Sequence, residues 1–464
     1  MSEVVEKKQL FSEDDKELMK KTIKLAWPAV FESVLLVIGT MIDNKMVSGL
    51  GKAVVAGIGL TGQPKFFLLA PIYALSAAAS ALVARKRGEE DTEGAYSIAK
   101  FILLVAGIYS IIIGTICVVF GKQIVMLCGA NENTYDSAHA YFIVVMGGII
   151  FYSLILVING IFRASGKTKL SLITSCVSVG VDIFFNYCLI EGHLGFPRLE
   201  ATGDALATVF GTICAFIIAV FAMIPEKNYI SIKTMIKKKY RITKEGIKSS
   251  VKFSTNTMSE DILKRLSFLI IGILAAKAAS DPETCTNQYA AHQIGMSLLN
   301  LAFGFGSGMM AASITLSGTA IGQKNIKLAR KYTLMCQIVG LLLGIIASVI
   351  VFFIARWFFG LYFTDQVVIE IGVKISRFIC IIIPIQLVQI VFSGTLRACG
   401  DIKYTLISST AIFGFLNVIL DFILVKAVGM EIYGIWTGML ASQTTLALCH
   451  FIRYRSGKWE NKKI

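Results

Sequence analysis

GIFRASGKTKLSL, residues 160–172, returns as GTLRACGDIKYTL, residues 394–406. Arg163 matches Arg397 at an offset of 234 residues, and the same offset carries Gly166 to Gly400, Lys169 to Lys403 and Gly88 to Gly322. One unit is written twice. Around these copies the chain is apolar: 55% of its 464 residues are hydrophobic and the mean hydropathy is +0.70, more than a soluble core requires. About twelve apolar segments reach the length of ~20 residues that crosses a hydrocarbon layer of ~30 Å as a helix. They fall near 23–46, 54–83, 97–120, 137–162, 169–191, 204–224, 251–278, 287–319, 329–356, 369–395, 404–427 and 432–453. None shows the ten-residue alternation of a membrane barrel, and backbone amides in lipid must be satisfied within the segment, so the expected class is all-α. Two membrane halves enclosing buried polar groups are the plan of a transporter.

The net charge of +15 would suggest nucleic acid in a soluble protein, but its distribution points to a membrane. Basic clusters occupy every second loop: Lys20, Lys21 and Lys24; Arg85, Lys86 and Arg87; Arg163, Lys167 and Lys169; Lys237 to Lys248; Lys324 to Lys331. By the positive-inside rule both termini and the central linker face the cytoplasm of a plasma-membrane protein. The organisation expected is a cytoplasmic segment 1–22, a six-helix bundle 23–224, a basic linker 225–250, a second six-helix bundle 251–453 and a tail 454–464. An even number of helices per repeat relates the bundles by a pseudo-twofold axis along the membrane normal. Ser12 and Asp15 resemble a capping box that starts a short surface helix leading into segment one. The linker mixes basic and single apolar residues, as either a solvated connector or an amphipathic helix on anionic lipid would.

Gly166-Lys167-Thr168 has the ending of a phosphate loop, but the position five residues before Gly166 is Ile161 rather than glycine. The expected role is a tight turn, repeated at Gly400. The ten cysteines are scattered singly with no histidine at ligand spacing, and no nucleophile elbow appears, so no enzyme activity and no cofactor are expected. Energy would come from an ion gradient.

LAWPAV at Leu25, DNKMVSGLG at Asp43, FRASGKTK at Phe162, AAHQIG at Ala290, LRACGD at Leu396 and NVILD at Asn417 together resemble the multidrug and toxic compound extrusion (MATE) transporters over essentially the whole chain. The resemblance implies two bundles around a central cleft, acting as a functional monomer that exports organic cations in exchange for H⁺ or Na⁺. It also implies a role for Asp43, which matches the first-helix carboxylate of the family, and for Thr208. Archaeal, DinF-like members often read Asn then Asp in helix five, where this chain reads Asp182 then Asn186. The NorM-like branch has an acid in helix ten where this chain has Gln386. The branch implied is DinF-like.

Charged residues inside membrane helices are costly and select for a cavity, a partner or a function. Asp43 lies near the end of its segment and serves either coupling or as a boundary charge in external water. Asp182 and Asn186 are one turn apart on one face, as are Asn417 and Asp421 in the other half. With Asp43 and Thr208 the first pair offers hard oxygen ligands for Na⁺, or paired carboxylates that share a proton. Glu260 and Asp261 are either coupling acids or members of an ion-pair cluster with Lys264 and Arg265. Lys277 stands where the repeat would place a second Asp43, so coupling is expected in the N-terminal half. Glu32, Gln63, Gln293, Gln386 and Gln389 are candidates for lining the cleft or for cross-linking helices. A lipid-linked oligosaccharide flippase shares the double-bundle plan but would carry cavity arginines, and the arginines here sit mainly in loops.

Overall fold

A computed structural model describes residues 13–279 and 281–460. Ser12, and with it the expected capping box, lies outside them. Sixteen α-helices follow one another: α1 (Glu13–Val47), α2 (Lys52–Gly88), α3 (Thr92–Val119), α4 (Gly121–Leu127), α5 (Tyr135–Gly147), α6 (Ile149–Ala164), α7 (Thr168–Leu189), α8 (Glu200–Met223), α9 (Ile232–Lys238), α10 (Lys244–Ala275), α11 (Pro282–Gly322), α12 (Ile326–Gly360), α13 (Gln366–Ala398), α14 (Ile402–Ser409), α15 (Val418–Phe422) and α16 (Glu431–Arg455). The described residues contain no strand, and the class is all-α.

Nine stretches among the described residues are long and apolar enough to cross a membrane. The pair α5–α6 makes a tenth crossing, bent by 51° between Gly147 and Gly148. The bend has a packing reason, because a Cβ at Gly148 would stand 2.7 Å from Val209 of α8. Two further helices, α10 and α16, are long enough to cross but fall outside the same limits, α10 by its charges and α16 by its hydropathy. The charges Glu260, Asp261, Lys264 and Arg265 dilute α10, and Thr437, Ser442, Gln443 and His450 dilute α16. The eleventh segment is a relay rather than a plain helix: α14 passes into a π-helical stretch, Thr410–Asn417, then α15, then a second π stretch, Ile423–Ala427.

Helix boundaries differ from the sequence reading where capping outweighs hydropathy. In α1 the described helix starts at Glu13, so residues 13–22 continue straight into the first crossing. The linker holds only the seven-residue α9, and α10 begins at Lys244 because the Thr243 side chain accepts the Gly246 amide at 3.1 Å. The repeated turns close alike. Lys167 N donates to Phe162 O at 2.8 Å and Asp401 N to Leu396 O at 2.9 Å, the six-to-one bond of a Schellman motif. Gly166 and Gly400 take the required positive φ, +74° and +90°.

Two lobes result, one from α1–α8 and one from α10–α16. They meet through α1, α2, α10 and α11. At the end carrying Arg85–Arg87 and Lys324 the contact is backbone against backbone. A Cβ on Gly88 would stand 2.0 Å from Thr319 O, and one on Gly322 would stand 2.1 Å from Arg85 O. These glycines are repeat partners, so the pseudo-axis passes between them. Further along the interface α1 lies on Gly308 of α11, where a Cβ would stand 2.3 Å from Val30 Cα.

Candidate cation-coupling site

Inside the N-terminal lobe, α1, α2, α5, α7 and α8 bring together the polar residues that the bilayer would otherwise penalise. Asn186 of α7 is 0% exposed and donates from Nδ2 to Asp43 Oδ1 of α1 at 3.2 Å. Its side chain also lies near Asp204 of α8, which is 4% exposed. Asp182, one turn before Asn186, lies near Asp43 and Thr208, and all three are half-buried. Thus Asp43, Asp182, Asn186 and Thr208 form one cluster.

Sequence reasoning missed two members. Asp204 begins the sixth apolar segment and reads as a boundary charge, yet it stands one turn before Thr208 and faces inward. Lys65 of α2 interacts electrostatically with Asp204, Asp182 and Asp43, and its ammonium lies 5.6 Å from the centre of the Tyr141 ring. A lysine in mid-segment was the available signal. Three carboxyl groups against one ammonium leave the cluster short of positive charge. Asp182 Oδ1 and Asn186 Oδ1 are buried with no hydrogen-bond partner, so the cluster has oxygen lone pairs to offer a cation. Among the described residues no three Asp, Glu, His or Cys side chains converge as a cage for a metal ion.

The remaining candidates divide between two ion-pair clamps and scattered amides. Glu32 of α1 is 4% exposed, pairs with Arg163 at 3.0 Å and accepts from Ser171 at 2.7 Å and Ser175 at 3.2 Å. It ties α1 to α6 and α7 rather than presenting a free carboxylate to a cleft. Glu260 of α10 is 0% exposed and occupies the matching place. It pairs with Arg397 at 2.8 Å and Lys264 at 2.7 Å and accepts from Ser409 at 2.8 Å. Arg163 and Arg397, and likewise Ser175 and Ser409, are repeat partners. Asp261 is half-buried beside the same cations. Arg265 turns away across the lobe interface, its guanidinium 3.5 Å from the Phe66 ring centre.

Gln389 is buried and cross-links to His450 at 3.2 Å. Gln293 is exposed and donates to Tyr289 at 2.6 Å, and Gln63 is exposed. Gln386 is buried with its carbonyl oxygen unpartnered. Asn417 and Asp421 are fully buried in the other lobe and do not join the N-terminal cluster.

The family model MatE matches residues 28–188 and 262–423, one match per lobe. The chain belongs to the MATE family of multidrug efflux transporters. It is 24% identical to the probable multidrug resistance protein NorM of Thermotoga maritima, covering 99% of this chain and 97% of that protein. It is 22% identical to the uncharacterized transporter YisQ of Bacillus subtilis over 94% of each. A crystal structure of a MATE transporter in complex with MaL6 superposes with a TM-score of 0.88 at 18% identity, covering 97% of this chain and all of that one. The double-bundle fold is therefore that of a MATE transporter, and the flippase alternative is not favoured.

Proposed function

We propose that this MATE transporter is an antiporter of the plasma membrane, with both termini cytoplasmic, that exports organic cations in exchange for protons bound at Asp43, Asp182 and Asp204. The observation that carries the reading is the N-terminal cluster itself: Asp43 of α1 bonded to Asn186 of α7, with Asp182, Asp204 and the ammonium of Lys65 within electrostatic reach. Protonation of the carboxyl groups and their release change the charge of the cluster by more than one unit. Because α1 and α7 share the Asp43–Asn186 bond, a change in charge state there also changes how α1 is held.

Proton rather than Na⁺ coupling is supported by the lysine, which already supplies a fixed cation. The two unpartnered oxygens, Asp182 Oδ1 and Asn186 Oδ1, favour Na⁺ as the second reading. Placement in the DinF-like branch is supported by the uncharged Gln386 in α13, although the order Asp182 then Asn186 in α7 reverses that branch's usual pattern.

In the cycle, substrate enters from the cytoplasm or inner leaflet, the lobes rock outward about the Gly88–Gly322 contact, and external protons displace the substrate. The protons leave on the inward return. A membrane potential of ~100 mV contributes ~2.3 kcal/mol per net charge moved. The test is transport of a fluorescent organic cation in proteoliposomes under an imposed pH gradient or an imposed Na⁺ gradient. Uptake driven by pH and lost in Asp43→Asn is expected; uptake driven by Na⁺ alone would replace the proton with sodium, and no uptake under either gradient would refute the antiporter.

A further inference from the structure

Asp421 is 0% exposed, and neither carboxyl oxygen has a hydrogen-bond partner. Asn417, one turn before it, is also 0% exposed with both side-chain polar atoms unpartnered, and Ser442 of α16 is 0% exposed with its hydroxyl unpartnered. Among the described residues no charged side chain of α10, α16 or its own crossing serves Asp421. Glu260 is held by Lys264 and Arg397, Lys426 donates to Lys277 O at 2.7 Å, Glu431 is bonded to Gln288, and His450 is shared by Gln389 and Ser408. A buried carboxylate left without partner or counter-charge costs several kcal/mol, and such a group neutralises instead.

The register explains how the pair comes to be there. The 234-residue offset still holds at Gly180 and Gly414, but Asp182 maps to Asn417 and Asn186 to Asp421 at 235. One residue has been gained between Gly414 and Asn417. In an unbroken α-helix that residue would turn everything after it by about 100°. The gain lies within the π stretch Thr410–Asn417, and π winding takes up one additional residue in a turn. The pair is thereby kept inside its lobe. On the next helix an offset of 231 carries Glu200 to Glu431 and Gly203 to Gly434. By that register Ile435 and Met439 stand where the first lobe has Asp204 and Thr208. Gly438 supplies the seat, since a Cβ there would lie 1.8 Å from Asp421 Oδ1.

We propose that the C-terminal lobe holds a second exchangeable proton on Asp421, seated against Gly438 and one turn after the equally buried Asn417. A single carboxyl group without counterparts of Asp204 and Thr208 offers too few oxygens for a metal cation and is furnished for a proton. The protonation itself is independent of the antiport reading; only its use in transport rests on it.

The test is infrared difference spectroscopy of the full chain in lipid nanodiscs across a pH titration, with thermal melting as the folding control. In a background of Asp43→Asn, Asp182→Asn and Asp204→Asn, a protonated-carboxyl band should remain and Asp421→Asn should remove it. Gly438→Ala, which displaces the carboxyl group without deleting it, should shift that band's midpoint. Bands unaltered by both substitutions would overturn the proposal, as would loss of the Asp421 band on adding Na⁺ at constant pH. A wild-type transport phenotype for Asp43→Asn would overturn the N-terminal coupling reading and leave the Asp421 band untouched.

Discussion

Gly322→Ala should open the lobes at the end where they now touch. The added Cβ would lie 2.1 Å from Arg85 O and 2.8 Å from both Glu89 N and Gly88 Cα. A carbon–oxygen contact relaxes to about 3.3 Å, so the shortfall is about 1.2 Å. The opposing atoms are backbone and cannot rotate aside, so α2 and α11 must separate. Overpacking of this kind costs about 1–3 kcal/mol. The cost falls only on the conformation in which these helix ends meet, and the ratio of that conformation to its alternative should drop about 5- to 150-fold. Hydrogen exchange in nanodiscs reads this directly: amides at 84–90 and 318–324 should exchange faster by a comparable factor, while those of α3 and α12 stay unchanged. Gly88→Ala meets Thr319 O at 2.0 Å and should act alike. The double variant should cost less than the sum, because one separation relieves both clashes. Wild-type exchange in both single variants would refute the idea that this contact holds one end of the molecule closed.

Other expectations follow from the two clamps and the acidic cluster. Lys65→Met removes the built-in cation and should tighten binding of the coupling ion by about tenfold or more, roughly 1.4 kcal/mol, read as a shift in the half-saturating ion concentration for transport. Unchanged half-saturation would show that Lys65 does not share the cluster's charge. Arg163→Ala strands Glu32 among Ser171 and Ser175 and should cost about 3–5 kcal/mol of stability, whereas the paired change Glu32→Gln with Arg163→Met should cost much less. Thermal melting in detergent compares them, and equal losses would deny the clamp. Arg397→Ala should be at least as damaging, because Glu260 is 0% exposed, although Lys264 remains beside it at 2.7 Å.

Much of this architecture could be read from the chain, and the reasons are physical. Lipid forces backbone bonds inside each crossing, so apolar length reports helices directly. Internal duplication then supplies the second lobe, and Gly166 and Gly400 supply its turns. Asp182 and Asn186 were legible because polar groups in such a helix are conspicuous and one-turn spacing fixes a shared face, whereas Asp43 and Thr208 came from the resemblance to the MATE family. Lys65, in mid-segment beside Pro64, was conspicuous for the same reason, whereas Asp204 was hidden because it sits where a segment begins. Partnerships between distant helices were beyond reach. Nothing local joins Glu32 to Ser171 and Ser175, or Glu260 to Ser409, and the bend at Gly148 depends on Val209 of another helix. The π stretch was likewise silent, since its only trace is one residue gained against the repeat.

Linkage requires that if protons drive substrate, substrate must drive protons. The most direct measurement therefore loads proteoliposomes with a pH-sensitive dye, imposes an organic-cation gradient with no initial pH or Na⁺ gradient, and follows internal pH. Proton flux opposite to the substrate, abolished in Asp43→Asn and in Asp182→Asn, is the result predicted. Substrate movement with no change in internal pH, or a proton flux that survives both substitutions, would contradict coupling at this cluster.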